Sequence, residues 1–342
     1  LVPSGTKTIC MVKAQGYGVG SYELVKTLQE HRVDYIAVAV ADEGKELRER
    51  GISMPIVVMN PQRNAFQTLI DYGLEPEIYS FALLASFSET VVRNGLVGYP
   101  VHIKIDTGMH RLGFLPSDMT QLGEILAKDA GLSIRSVFTH LAGADDPDLD
   151  DFTRSQLLSF DAAFASLSSL LGYIPLRHVL NTAGVERFAD YHADMIRLGI
   201  GLYGVTASGV QGLRPVATLM TTILQIKDIS SSDTVGYGRK GRVQQPSRIA
   251  IIPIGYADGL DRRLSCGVGE VLVRGHRCPI VGNVCMDICM IDVTGMPAEE
   301  GDPVVVFGEE LPIEEVARKM NTIPYEVLTG ISPRVRRVYF QE

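Results

Sequence analysis

Ile9-Cys10-Met11-Val12-Lys13, followed at once by Ala14-Gln15-Gly16-Tyr17-Gly18-Val19-Gly20, is the stretch on which the fold turns. A short apolar run bounded by turn residues reads as a buried strand. Lys13 then stands at the strand's end, where burial depresses an ammonium's pKa and leaves a nucleophilic amine that a carbonyl cofactor can capture. Tyr17 lies four residues on, in a turn whose glycines let backbone amides approach an anion. Taken alone, Lys13 reads more readily as a snorkelling lysine with a structural role.

Outward from this run the pattern repeats as strand, then helix. Strand-like runs cover 8–12, 35–40, 56–59, 77–80, 101–105, 134–139, 176–180 and 195–200, with amphipathic helical segments such as 21–30 and 154–171 between them. Ser21, with Leu24, Val25 and Leu28 following, predicts a capped helix start. Eight strands alternating with helices is the count of a (β/α)8 TIM-type barrel. An open doubly wound sheet would show fewer strands and a G-x-G-x-x-G fingerprint. After Gly204 the rhythm changes to strand-like runs with short turns, at 216–228, 233–243, 248–256, 269–273, 279–284, 289–293 and 303–307; only 312–320 reads as clearly helical. The expectation is a barrel over 1–205 followed by a mainly β domain over 206–342.

The 342 residues and net charge of −8 describe an ordinary globular chain with no basic face for nucleic acid. No apolar stretch reaches the length of a membrane span. The start, Leu1-Val2-Pro3-Ser4-Gly5, lacks the character of a signal peptide. The five cysteines, Cys10, Cys266, Cys278, Cys285 and Cys289, do not form a disulfide framework, so a reducing, cytoplasmic compartment is expected. Cys285 and Cys289 are spaced too loosely for a zinc site, and buried apolar thiols with no metal are expected.

Active sites in such barrels lie where strands end and the following loops begin. Those ends carry Lys13, Lys104, Asp106, His140, Asn181, Thr182, Arg197 and Gly199-Ile200. Asp106-Thr107-Gly108 could be a turn, His140 a core histidine, and Arg197 a salt-bridge partner. Their shared address is what packing alone does not explain. The loops after strands seven and eight commonly hold a phosphate, here with the Thr182 hydroxyl, the Gly199-Ile200 amides and Tyr17. A lysine beside a phosphate cradle suggests pyridoxal phosphate; an aldolase-type lysine acting on a phosphorylated sugar is the other reading.

The motifs Val12-Lys13-Ala14 with Tyr17-Gly18, Lys104-Ile105-Asp106-Thr107-Gly108-Met109, Arg111-Leu112-Gly113-Phe114 and Thr139-His140 resemble those of alanine racemases. Asn181-Thr182-Ala183, Arg197-Leu198-Gly199-Ile200, Val235-Gly236-Tyr237-Gly238, Gly255-Tyr256-Ala257-Asp258-Gly259 and Val284-Cys285-Met286-Asp287 continue the likeness through nearly the whole chain.

The resemblance implies a homodimer with shared active sites that interconverts L- and D-alanine for peptidoglycan, using pyridoxal 5'-phosphate. Lys13 would carry the cofactor and act as base on one face of the α-carbon. Tyr237 of a second subunit would act on the other, assisted by His140. Arg197 would face the pyridine nitrogen, where a guanidinium charged to pH ~12 does not surrender a proton. Asn181 joins the cofactor set with Tyr17, Thr182, Gly199 and Ile200. Arg111, Tyr256 and Met286 would meet the substrate, and Lys104 would be the lysine that the family carbamylates to hold Arg111. A racemase of serine or broader specificity and a barrel-type decarboxylase stay open as alternatives. In place of a family tyrosine that touches the phosphate stands Pro333. The short segment before Thr8, where the family carries another strand and helix, reads as a truncated or partly observed protein.

Overall fold

β1 (Lys7–Met11) pairs in parallel with β2 (Tyr35–Val38) on one side and with β8 (Met195–Leu198) on the other. That second pairing closes a ring. Between them run β3 (Ile56–Val58), β4 (Glu75–Ile78), β5 (Tyr99–Lys104), β6 (Leu132–Phe138) and β7 (Leu176–His178), in the order of a (β/α)8 barrel. The computed structural model describes residues 2–340 except 192 and 211, so the termini of the expected domains at 1 and 342 lie outside the described residues.

Side chains alternate across each strand with period two. Cys10, Val12, Ile36, Val38, Ile56, Val58, Ile78, Val101, Ile103 and Ile105 join the main core cluster with the helices' apolar faces. Ile9, Ala37, Val57 and Met195 form a separate inner cluster. The inward positions therefore include Ile9 and Met11 on β1 and, by the same count, Lys13 just past its end.

Several boundaries differ from expectation, each for a local reason. β4 begins at Glu75 and ends at Ile78, because Ser80 caps the helix Phe81–Arg93 by accepting from the Leu83 amide at 3.2 Å. The helix Ser21–Glu30 starts without a serine cap: its N-cap is Gly20 at φ 106, with no side-chain bond. The chain arrives there from a left-handed turn, and such a φ is open to glycine. The long helix runs Asp150–Leu171, four residues earlier than expected, with Asp150 and Asp151 complementing its N-terminal dipole and Gly172 ending it at φ 74.

The chain divides into two compact units, the first Leu1–Gly16, Gly20–Leu202 and Thr206–Gly212, the second Tyr17–Val19, Tyr203–Val205 and Leu213–Glu342. The second unit is built of antiparallel sheets. β10 (Gln225–Ile229), β13 (Ser247–Ile252) and β16 (Cys289–Asp292) form one; β15 (His276–Pro279), β14 (Glu270–Val273), β17 (Pro303–Phe307) and β9 (Leu219–Thr222) form another; β11 (Thr234–Val235) pairs with β12 (Gly241–Arg242). The run 216–228 is two strands rather than one. The strand expected at 279–284 lies earlier. Arg274 and Gly275, at φ 49 and 77, make a two-residue hairpin turn that pairs Val273 with His276. The helix Ile313–Lys319 is joined by an unexpected one, Pro324–Thr329, opened by proline in its first turn.

All five cysteines are free. Burial pushes the Cys10 and Cys289 thiols up to about 12, whereas Cys266 is exposed and Cys285 half-buried, against the expectation of buried thiols throughout. No helix among the described residues is long and apolar enough to cross a membrane.

Candidate active site

Past Lys13 the backbone turns left-handed. Ala14, Gln15, Gly16 and Tyr17 have φ of 53, 55, 61 and 52, and three of these four are not glycine. Each such residue costs roughly 1–2 kcal/mol, so the turn persists only where neighbours fix it. The Gly16 amide donates to Val12 O at 2.8 Å and the Gly20 amide to Gln15 O at 2.8 Å. Glu43, in the first turn of the helix Ala41–Glu49, braces the turn from outside: its Oε1 accepts from the Ala14 amide at 2.6 Å and its Oε2 from the Ala39 amide at 2.7 Å. Lys13 is half-buried. Its ammonium is held below the usual lysine range, by desolvation first and then by Arg111 and Lys104, while Glu43 and Glu77 act in the opposite sense.

From β4 onward many inward positions are polar, although Leu176 and Met195 belong to the apolar inner cluster. Glu77 is fully buried, and Lys104 Nζ lies 3.0 Å from its Oε1. Burial raises the Glu77 carboxyl, with Lys104, Arg197 and Arg111 favouring its charged form. One level down, a hydrogen-bonded chain crosses the barrel: Glu75 Oε2 to His102 Nε2 at 2.9 Å, His102 Nδ1 to Ser136 Oγ at 2.6 Å, Ser136 Oγ to His178 Nε2 at 2.8 Å, and His178 Nδ1 to Arg197 Nη1 at 2.7 Å. An arginine only donates, which sets the direction of the network. His178 Nδ1 accepts, so its Nε2–H donates to Ser136, whose hydroxyl donates to His102 Nδ1. His178 is held neutral, its pKa far below the ordinary value through burial and then Arg197.

Arg197 spends its remaining Nη hydrogens on carbonyls: His178 O at 3.0 Å, Thr139 O at 2.7 Å and Val179 O at 3.0 Å. Nη2 also lies 3.4 Å from His140 Nδ1. Among the described residues its Nε–H has no partner. Burial lowers its pKa to about 10, opposed by Glu77, so it stays charged at neutral pH. His140 is pushed down to about 3 by burial and then by Arg197, Arg111, Lys104 and Lys13. It is a neutral imidazole.

The loop after β8 folds onto the start of the short helix Thr182–Arg187. Thr182 Oγ1 accepts from the Gly199 and Gly201 amides, each at 3.2 Å, and Ile200 between them is buried. A Cβ on Gly201 would stand 2.8 Å from Thr182 Cγ2, so the approach needs glycine there. Asn181 Oδ1 caps the helix by accepting from the Gly184 amide at 2.9 Å. Asp106 Oδ1 accepts from the Gly108 and His110 amides at 3.0 Å, which makes 106–110 a turn held by its own aspartate.

The first unit thus gathers Lys13, Lys104, Arg111, His140 and Arg197 in one electrostatic neighbourhood, with Asn181, Thr182, Gly199 and Ile200 in the adjoining loops. Arg111 is exposed and makes no ion pair among the described residues; Lys104 pairs with Glu77 instead. The sequence reading overlooked Glu43, Glu75, Glu77, His102, Ser136 and His178. The signal for three of them was available: a period-two count sets Glu75 with Glu77 on β4 and His102 with the candidate Lys104 on β5.

In the second unit, Tyr17 is buried and its ring stacks on Tyr203 at 4.8 Å between centroids. Tyr237 is 73% exposed, in a turn where the Asn283 side-chain Nδ2 donates to its carbonyl at 3.1 Å. Tyr256 and Met286 stand on adjacent exposed loops, joined by the Tyr256 amide to Cys285 O and the Ala257 amide to Met286 O, each at 3.0 Å. Beside the exposed Pro333, Arg334 reaches Asp258 and Asp287, each at 2.7 Å.

The family model described as the alanine racemase N-terminal domain matches residues 1–207, and that of the C-terminal domain matches 216–339. Alanine racemase 2 of Caldanaerobacter subterraneus subsp. tengcongensis is 38% identical over 351 residues, covering 99% of this chain and 89% of its own. Among solved structures, alanine racemase of Clostridium difficile 630 superposes with a TM-score of 0.90 at 33% identity, covering 98% of this chain and 89% of that one. The alanine racemase of Bartonella henselae, solved with covalently bound pyridoxal phosphate, gives 0.89 at 29% identity, covering 98% and 93%.

Proposed function

This chain belongs to the alanine racemase family, a family of isomerases, and from that premise we propose that it interconverts L- and D-alanine with pyridoxal phosphate. The observation that carries the reading is Arg197, whose Nη hydrogens are committed to carbonyls and His178 and whose Nε–H is left as a donor.

The residues present fit the cofactor. Lys13 offers an amine of lowered pKa for its aldehyde. The Thr182 hydroxyl hydrogen and the Ile200 amide offer donors for its phosphate, with the Gly199 and Gly201 amides holding Thr182 Oγ1 in place. Arg197 Nε–H suits an unprotonated ring nitrogen. When bound, the cofactor supplies a conjugated ring that spreads the electron pair left by the departing α-proton. A charged guanidinium keeps its hydrogens and limits that spread, which favours returning the proton over losing another group.

Lys13 holds or takes the α-proton on one face. Desolvation, Arg111 and Lys104 together raise the fraction of free amine that a base requires. Tyr237 of a second copy acts on the opposite face. A phenol titrates near pH ~10 and is a weak base at neutral pH, so it needs a donor to stabilise its ionised form. His140 qualifies: it is neutral, its Nδ1 faces Arg197, and its Nε2–H is left to donate. The exposed Arg111 has the fork geometry to take the substrate carboxylate, with Tyr256 and Met286 of the second copy lining the approach. We read residues 1–205 as the cofactor-binding part and 206–342 as the part lent to the partner. Cytoplasmic supply of D-alanine to peptidoglycan is the role that follows.

Racemisation assays on alanine, serine and lysine test the substrate, with alanine expected to turn over fastest. Lys13→Ala should lose both activity and the cofactor's visible absorbance; a fully active variant would sink the assignment. Mixing Lys13→Ala with Tyr237→Phe chains should restore some activity through hybrid dimers, and no recovery would count against shared sites.

A further inference from the structure

Glu77 is an interior charge for which the proposed reaction has no use. It is buried to 0% exposure on β4, inside a set of four cations: Lys104, Arg111, Arg197 and, through its field, Lys13. Register explains its contact. Glu77 aligns with His102 across the β4–β5 ladder, and Lys104 stands two residues further along β5 on the same face. The two side chains are 0% and 6% exposed, with Nζ and Oε1 3.0 Å apart. Neither Oε1 nor Oε2 has a hydrogen-bond partner among the described residues, so the ion pair to Lys104 is what meets the carboxylate. Lys104 is thus the nearest cation to a carboxylate that water does not reach.

We propose that Glu77 fixes Lys104 as an unmodified ammonium, so that the buried anion of this site is a carboxylate on β4 and not a carbamate on β5. The inference concerns the same site as the proposed racemase but rests on that reading only for the cofactor's location; it stands whichever amino acid is the substrate.

Carbamylation requires a neutral amine: the nitrogen lone pair forms an N–C bond to carbon dioxide and a proton leaves. Three features oppose that here. The amine nitrogen stands 3.0 Å from a buried carboxylate oxygen, a contact that suits a cation and not a group bearing its own negative charge. A carbamate would set a second anion beside Glu77 with no water to screen the pair. The nitrogen also lies 5.6 Å over the Phe138 ring, with the Arg197 guanidinium 5.2 Å from that ring's centroid. The face of an aromatic ring attracts cations and repels anions. The charge matters to Lys13 as well, since a positive Lys104 helps hold its amine unprotonated and a carbamate would do the reverse. Glu77 and Lys104 are accordingly positioning residues.

The test is a carbon NMR spectrum of the wild-type holoenzyme in labelled bicarbonate, taken at least a unit above the Glu77 midpoint so that its carboxyl is ionised. The expected spectrum has no protein carbamate resonance. A resonance that disappears in Lys104→Arg would overturn the proposal, including the arrangement in which a protonated Glu77 donates to a carbamate. Glu77→Gln should gain the Lys104 resonance, and a folded variant without it would show that Glu77 is not what keeps the lysine free. If neither Glu77→Gln nor Glu77→Thr folds, the wild-type spectrum still decides. Loss of racemase activity on alanine has no bearing on this readout.

Discussion

The two sides of the barrel interior are built from different chemistry. On β1 to β3 the inward residues are Ile9, Met11, Ala37 and Val57, which pack with Met195 into a small apolar cluster. On β4 to β8 they include Glu75, Glu77, His102, Lys104, Ser136, His178 and Arg197, tied together by short polar contacts, beside Leu176 and Met195 of the apolar cluster. The apolar side is held by non-directional burial and tolerates small changes in shape. The polar side is held by groups that must each find a partner, because an unsatisfied buried polar atom or charge is expensive. Lys13 leaves the apolar side and enters a field made by the polar one.

That contrast can be broken at several points. Arg197→Leu should have the largest effect, removing racemisation and destabilising the chain by about 3–5 kcal/mol in urea unfolding, since three carbonyls and His178 lose their donor. A cost like that of a surface pair would show the interior to be wetter than its burial implies. Ser136→Ala cuts the chain between His178 and His102 and should cost about 1–3 kcal/mol. Titration sharpens the comparison further. A histidine held neutral in the fold is protonated only in the unfolded chain. Stability should therefore fall as pH drops from 6.5 toward about 3, by up to about 1.4 kcal/mol per pH unit for His140, with His178 adding in the same sense. Glu77 works the other way. Its carboxyl, raised from 4.5 to about 7, takes a proton in the fold first and adds stability as pH falls through that interval. Comparing wild type with His140→Gln isolates the histidine share, and superimposable curves would contradict it. Ile9→Val on the apolar side should cost least, about 0.5–1.5 kcal/mol, and leave the pH dependence of stability unchanged.

Much of the barrel was legible because its strands and helices differ in period. The runs at 8–12, 35–40 and 195–200 sit within a residue or two of β1, β2 and β8. β4 was misread by two residues, since Glu75-Pro76-Glu77 does not look like a buried strand. With it went Glu77, and so the partner of Lys104. The hairpin at Arg274-Gly275 was missed because arginine seldom adopts the left-handed conformation it takes there. The left-handed turn after Lys13 left no sequence signal beyond its glycines. It exists because Glu43, from a different helix, bonds the Ala14 amide.

By itself, the sequence determined the alternation of strand and helix, the change to β structure after Gly204, and the strand-end addresses of Lys13, Lys104, His140, Thr182 and Arg197. These follow from periodicities and turn residues that act over a few positions. Only the tertiary structure decided which of those groups touch. Closure of the ring sets β8 beside β1, and the β4–β5 register sets Glu77 against Lys104. Such contacts depend on pairing between distant segments and on burial that removes water from around the charges. Local pattern carries neither, which is why the charge on Lys104 could be read only from the fold.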